Sequence, residues 1–580
     1  MKMMKKQIIY TLLAAAMAPC LTGCLEEYTP TNGATGTQIE GADKQSLSNA
    51  VASYMNSAVM TADGGHSYDI GFMGFAIWRD AMTADLPVYD PAYDYYTVFG
   101  YQTYLGDYAL QALIWQRYYG LVQKTNLLLG VANPEVEADR VYMGNALAYR
   151  AMAYMDLARL YEYRHTDVAY LDQRGEQIKG LTAPIVTEKT TDASGRSNPR
   201  APFYEMYRFI LTDLNNAEAY LANTHVADSK LSACLGVIYG LKARFYLDLG
   251  TRYSKYPDEL AKQTENENSE ALADYDKFGI TTANEYLNLA AQYARKAIGE
   301  GFAPTSENQW FDPKTGFNTP IPSWMWCITI STDDPIATSY IWQSFVSYMS
   351  PEATWGLAAP GYNASRMIDA RLFNSISDGD WRKTTWIAPT DVANVEAFNT
   401  KYAKGTAMGY NEWSNLGAYV GMKFHPGSGD RTTATTGNAM SFPLMRVEEM
   451  YLIEAEAVGR VSGPAAGAQL LNSFMNLYRY KDGSFSASVA SIDDFVDDVF
   501  KQKRIEFWGE GQILWDYRRL EKAIVRGYPG TNHYSQFCFN SYPNAVAPWT
   551  ILYIPDSERN YNTAIVLNPD PSNALTLWSE

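Results

Sequence analysis

Leu147-Ala148-Tyr149-Arg150-Ala151-Met152-Ala153-Tyr154-Met155-Asp156-Leu157-Ala158-Arg159-Leu160-Tyr161 is the stretch on which the fold turns. Leu147, Ala151, Tyr154, Ala158 and Tyr161 fall at offsets 0, 4, 7, 11 and 14, one continuous stripe on an α-helix. Tyr286, Leu289, Ala290, Tyr293, Ala294 and Ala297 repeat the pattern, as do Ile238, Leu241, Phe245 and Leu249, and then Val447, Met450, Tyr451, Ala455 and Val458. Small residues alternate with Tyr or Leu along these stripes. Backbones can approach where the side chain is small, and the large side chains fill the gaps, as in TPR-type helix pairs. No repeated motif and no fixed period of about 34 residues links them. The pattern therefore predicts a mainly α protein of TPR-like helical hairpins rather than a regular array.

Between Gly301 and Met440 the character changes to Pro, Gly, Asn, Asp and Trp, with only short strand-like runs such as Met325 to Ile330. We expect a helical scaffold over about 40–300 and 441–525, interrupted by a loop-rich, irregular insertion over about 301–440, all within a single domain, 40–580. Irregular segments of that size are usually functional. Near the C-terminus Ser491 precedes Asp493 and Asp494, with Lys501, Lys503 and Arg504 later. This is the charge order of a capped helix.

The 580 residues are 47% hydrophobic, enough for a sizeable core, and carry a formal charge of -17. Removing Lys2, Lys5 and Lys6 with a leader takes the chain to -20. Such a surface repels phosphate backbones, so nucleic acid is excluded as a partner. The leader has a basic start and an apolar Ile8–Met17 run too short to span a bilayer. It ends in Leu21-Thr22-Gly23-Cys24, which resembles a bacterial lipobox. That resemblance implies a signal peptide over 1–23, lipidation of Cys24, and a Thr/Gly/Pro-rich tether over 24–39 leading away from an outer-membrane lipid anchor. Glu26-Glu27 resembles the surface-export signal of Bacteroidetes lipoproteins. Cys234, Cys327 and Cys538 are too scattered for a metal site or a disulfide framework.

Several stretches resemble the SusD/RagB family of outer-membrane nutrient-binding lipoproteins, in the family's order. They are Tyr118–Asn126, Ala148–Tyr154 with Leu160-Tyr161, Arg446–Ala457, and Lys503–Gly511 followed by Trp515–Arg519. Glu448 and Lys503 depart from the usual residues. The resemblance implies a surface protein, facing the cell exterior, that binds glycan and delivers it to a SusC-like TonB-dependent transporter. It also implies a peptide-binding RagB-type alternative. Read by themselves, Arg446, Glu449, Glu456, Arg504, Glu506, Glu510, Asp516 and Arg518 are charges among apolar neighbours that pair with one another as scaffold.

Catalytic motifs are missing. No histidine begins an HExxH zinc motif, no phosphate loop occurs, and Gly427-Ser428-Gly429 lacks the spacing of a nucleophile elbow. Acid clusters such as Asp333-Asp334 leave a surface glycosidase as a weaker rival. The expectation is no enzyme, no cofactor and no metal. The aromatic content, 44 Tyr and 14 Trp, points instead to ring stacking on sugars. One candidate group is Trp78, Arg79, Asp80, Tyr93, Tyr95 and Tyr96; its tyrosines lie in the Tyr89–Tyr104 run, which has interleaved acids, few aliphatic residues and no helical stripe and reads as an exposed loop. The other is Trp310, Trp342 and Trp355 in the insertion, with Trp324 and Trp326 expected to pack inward.

Overall fold

A computed structural model describes residues 43–55, 68–91, 94–222, 232–338, 342–362, 364–402 and 408–580. The leader, Cys24, the tether and Tyr93 lie outside these residues. Twelve helices of eight residues or more occur among the described residues: α1 (Lys44–Tyr54), α2 (Phe72–Ala81), α3 (Ala109–Val131), α4 (Glu137–Tyr161), α5 (Phe203–Leu221), α6 (Leu235–Lys255), α7 (Pro257–Glu265), α8 (Ala283–Gly299), α9 (Val447–Ser462), α10 (Pro464–Tyr478), α11 (Ile492–Glu506) and α12 (Ile513–Leu520). The only sheet among them is an antiparallel pair, β1 (Trp324–Thr329) with β2 (Ser441–Arg446).

The long helices pack in sequence, α3 on α4, α4 on α5, α5 on α6, α6 on α8, α8 on α9 and α9 on α10. The stripe on α4 is buried throughout, and so is nearly every other residue from Met143 to Leu160. Close approach is visible where residues are small. A Cβ at Gly250 of α6 would lie 2.6 Å from Leu287 Cγ and 3.1 Å from its backbone nitrogen on α8. Helix ends follow the sequence signals. Thr282 and Glu285 form a reciprocal capping box on α8, and the Ser491 hydroxyl accepts from the Asp494 amide at 3.0 Å on α11. Gly463, at φ 96°, ends α9, and Pro464 starts α10 at once.

Two sequence-flagged polar residues meet inside this stack. Arg150 of α4 grips Asp213 of α5 with two bonds of 2.8 Å and also donates to Asn126 of α3 at 2.8 Å. One guanidinium thus fixes three helices together.

The insertion leaves the stack after α8 and returns at α9, its ends clasped by β1 and β2, with Trp324 opposite Arg446. At its base sits a buried charge network. Glu506 accepts from Arg382 (2.8 Å), Arg446 (3.0 Å) and Arg479 (2.8 Å). Glu510 accepts from Arg446 (2.8 Å) and Lys423 (2.6 Å), and Asp380 accepts from Arg382 (2.6 Å). Glu448, the departure noted above, faces Arg446 at 3.0 Å and accepts from the Thr305 amide at 2.6 Å. It supplies the fourth acid against four cations. Lys503, the other departure, bonds Asp516 at 2.9 Å. The expected scaffold role of the charged blocks matches this pairing.

The chain after Leu520 has no further long helix. It is held through carbonyl contacts: Arg526 donates to Thr83, Met82 and Phe537, and Trp549 to Met82.

Candidate ligand-binding face

The loop-rich half builds a face from extended segments stitched by single bridges. Val88 pairs with Arg366, Met367 with Val420, and Trp386 with Gly421. Bonds from Met367 to Pro87 O (2.9 Å), Ile368 to Tyr419 O (3.0 Å) and Ile387 to Val420 O (3.1 Å) continue the stitching. Beneath it, Arg366 meets Asp94 at 2.6 Å with both side chains fully buried, and donates to Thr97 at 2.9 Å. Asp94 also caps the short aromatic turn Tyr95–Val98, so one ion pair locks the ring-rich segment to the insertion.

On this frame lies a cleft of about 410 Å³, walled in part by Tyr89, Pro360, Gly361, Met367, Asn415 and Tyr419. Tyr89 at its edge is 71% exposed. Beside Gly361, Tyr362 (47% exposed) meets Trp342 (54% exposed) edge-on, with ring centroids 6.2 Å apart. Among the described residues no charged side chain lines the cleft. Asn415, on the cleft wall, donates its amide N–H to Asn411 O at 2.8 Å.

The nine candidate residues separate sharply. Trp342 is exposed beside the cleft. Trp355 is half-buried and donates to Asn438 at 3.2 Å. Asn438 also accepts from Ser344, two residues from Trp342. Tyr95 is half-buried against Tyr68 and Phe99. Tyr93 lies outside the described residues.

The remaining five are interior, which corrects their assignment to a sugar-facing loop. Trp78 is 1% exposed within α2, every residue of which is buried. Arg79 donates to Tyr118 and Asp156, both at 3.3 Å, and lies 5.2 Å over the Trp515 ring. Asp80 accepts from the Gly511 amide at 3.1 Å. Tyr96 donates to Tyr68 O and packs on Tyr348. Trp310 is 0% exposed, donates to Thr385 at 3.0 Å, and stacks under Lys423 at 4.8 Å. The physical reason is that 72–81, Phe-Met-Gly-Phe-Ala-Ile-Trp-Arg-Asp-Ala, is apolar around most of its circumference, and its two charged residues find partners inside. That is the mark of a central helix. Trp310, for its part, is consumed by the charge network. The sequence reading missed Tyr362, although the Pro360-Gly361 dipeptide before it marks a tight turn that puts a ring on the surface.

Burial pushes the Asp80 carboxyl up to about 7, partly offset by the Gly511 amide, while Oδ1 takes no hydrogen bond. A carboxyl raised in the folded state contributes stability that is whole below its unfolded value of 3.8 and is lost as pH rises through about 7. Asp80→Asn should therefore gain on wild type between pH 4 and 8, by about 4 kcal/mol in all. Thermal melts across that range check this, and parallel curves for the two proteins would contradict it.

This helical stack with its loop-built aromatic cleft has counterparts among known proteins. One family model, described as SusD family, matches residues 363–573, and another, described as starch-binding associating with outer membrane, matches residues 48–247. The chain belongs to the SusD/RagB family. A SusD-like carbohydrate-binding protein from Bacteroides vulgatus shares 19% identity, covers 90% of this chain and 96% of its own, and superposes with a TM-score of 0.63. A SusD superfamily protein from Bacteroides thetaiotaomicron gives 19%, 91%, 99% and 0.59. A laminarin-binding SusD-like protein gives 16%, 91%, 98% and 0.58. No curated protein matches the sequence. The family is one of glycan-binding proteins that associate with the outer membrane.

Proposed function

We propose that the chain captures a neutral oligosaccharide on the Trp342–Tyr362–Tyr89 face without turning it over. We further propose that it passes the sugar to a SusC-like TonB-dependent transporter while held at the cell exterior by lipid on Cys24. The observation that carries the ligand class is the pair of exposed rings at 6.2 Å beside a cleft with no charged lining residue among those described. Flat rings stack on the C–H faces of sugars, and the uncharged walls give a charged peptide nothing to pair with. Glycoside hydrolysis needs two carboxylates across the scissile bond, and the described lining offers none. The laminarin-binding relative supports a glycan ligand. The lipobox-like Leu21–Cys24, cut to free a tether over 24–39 before the 40–580 domain, supports the anchor.

Isothermal titration against a panel of plant, host and microbial oligosaccharides, at low and high salt, tests the reading. Trp342→Ala and Tyr362→Ala should each weaken binding by about 1–3 kcal/mol. The melting temperature should stay near wild type, because neither ring is buried. Affinity should hardly depend on salt. A double variant that binds sugar as tightly as wild type would remove the face from consideration. A steep salt dependence would favour the RagB-type peptide reading.

A further inference from the structure

Between α4, α6 and α12 lies a cavity of about 60 Å³, partly open to solvent and apart from the candidate ligand-binding face. Five arginines line it, Arg159, Arg164, Arg252, Arg518 and Arg519, together with the carboxylates of Glu162 and Asp248. Four have carboxylate partners. Arg159 bonds Asp248 at 2.7 Å, Arg164 bonds Glu521 at 3.0 Å, Arg252 bonds Glu162 at 2.7 Å and Arg519 bonds Glu456 at 2.6 Å.

Arg518 is the exception. It is 7% exposed, and its Nη1 donates to Thr550 O at 2.5 Å and to the Thr550 hydroxyl at 2.7 Å. Among the described residues no carboxylate lies within 4.0 Å of it, and its Nε and Nη2 have no acceptor. The other buried arginines without an acid are handled differently. Arg200, Arg208 and Arg526 each sit in a basket of backbone carbonyls from several residues. Arg518 has one residue for a partner and a cavity on its open side. Glu162 attracts it, but both oxygens of that acid are taken by Arg252. Burial, and then the charge of Arg164, pull its guanidinium down to about 9, so its surroundings oppose the charge it carries.

We propose that this cavity holds a small monovalent anion against the free edge of Arg518, either a halide or a single carboxylate of formate size. A buried cation without a counter-charge is costly, and an anion here would supply it. The volume sets the size limit. About 10–15 Å³ of such space holds one water, so the cavity has room for a few water-sized groups: a halide or formate fits there and a polyol acid does not. The bound anion would join α4, α6 and α12 to the irregular segment that carries Thr550.

Melting curves of the full chain in sodium chloride, formate and gluconate at matched ionic strength give the first test. Chloride and formate should raise Tm saturably by roughly 2 °C, whereas gluconate should not. Arg518→Gln should abolish that difference while keeping any general salt effect. Crystals grown in bromide give a second test that does not depend on the variant folding. They should show an anomalous peak within hydrogen-bond reach of Arg518 Nη2. Equal Tm values in chloride and gluconate, or ordered water in place of the bromide peak, would overturn the proposal.

Discussion

Glu506→Gln should lower folding stability by about 3–5 kcal/mol, the usual result of removing one member of a buried ion network. The substitution keeps the shape but leaves Arg382, Arg446 and Arg479, all buried, facing an uncharged amide in place of the oxygens now at 2.8–3.0 Å. Four cations would then face three acids in the interior. Arg382→Met in the same chain should recover part of the loss, because it restores the balance of charge. Burial raises the Glu506 carboxyl, but Arg479, Arg446 and Arg382 together outweigh it and hold it well below its ordinary 4.5. The stability this carboxylate contributes is thus full above that value and is lost as pH falls below it. Thermal or denaturant unfolding of the single and double variants measures the effect. A Glu506→Gln protein as stable as wild type would mean the network carries no weight. Glycan affinity, measured well below the melting temperature, should not move.

Trp78→Ala should be the most damaging single truncation in the first half of the chain, lowering stability by about 3–5 kcal/mol. The indole is enclosed in α2, which is buried on every side. Gly511 approaches closely enough that a Cβ there would sit 2.4 Å from Ala76 Cα, so the surrounding backbone has little freedom to collapse into the hole. The variant should melt far below wild type yet bind sugar normally wherever it remains folded. A Trp78→Ala protein of normal stability that had lost its ligand would return this residue to the surface and discredit the placement of α2.

These two variants mark the division between what the sequence made legible and what it did not. The α4 and α8 stripes and the Ser491 helix start were readable because helix formation is local and leaves a period in the chain. The pairing of Arg446 with Glu506 and Glu510 was readable too, since a charge among apolar residues needs a partner, but Arg518 finds no acid and bonds Thr550 instead. The site was far less legible. Trp78 and Trp310 look like Trp342 in isolation, and only long-range packing, such as Lys423 over the Trp310 ring, decides which ring is consumed by the core. Tyr362 reaches the surface through a turn whose neighbours, Tyr89 and Tyr419, come from distant parts of the chain.

The clasp of β1 and β2 also dictates an order of events. The small-residue face of α8 is completed by α9, but everything between Gly299 and Val447 must emerge before the two can meet. Glu506 and Glu510, the counter-charges of Arg382, Lys423 and Arg446, come later still. A growing chain therefore carries an unfinished helical stack and cations only partly compensated, by Asp380 and Glu448, until Glu506 and Glu510 are available. Contacts so distant in sequence close slowly. A chain built this way closes only once its C-terminal part has arrived.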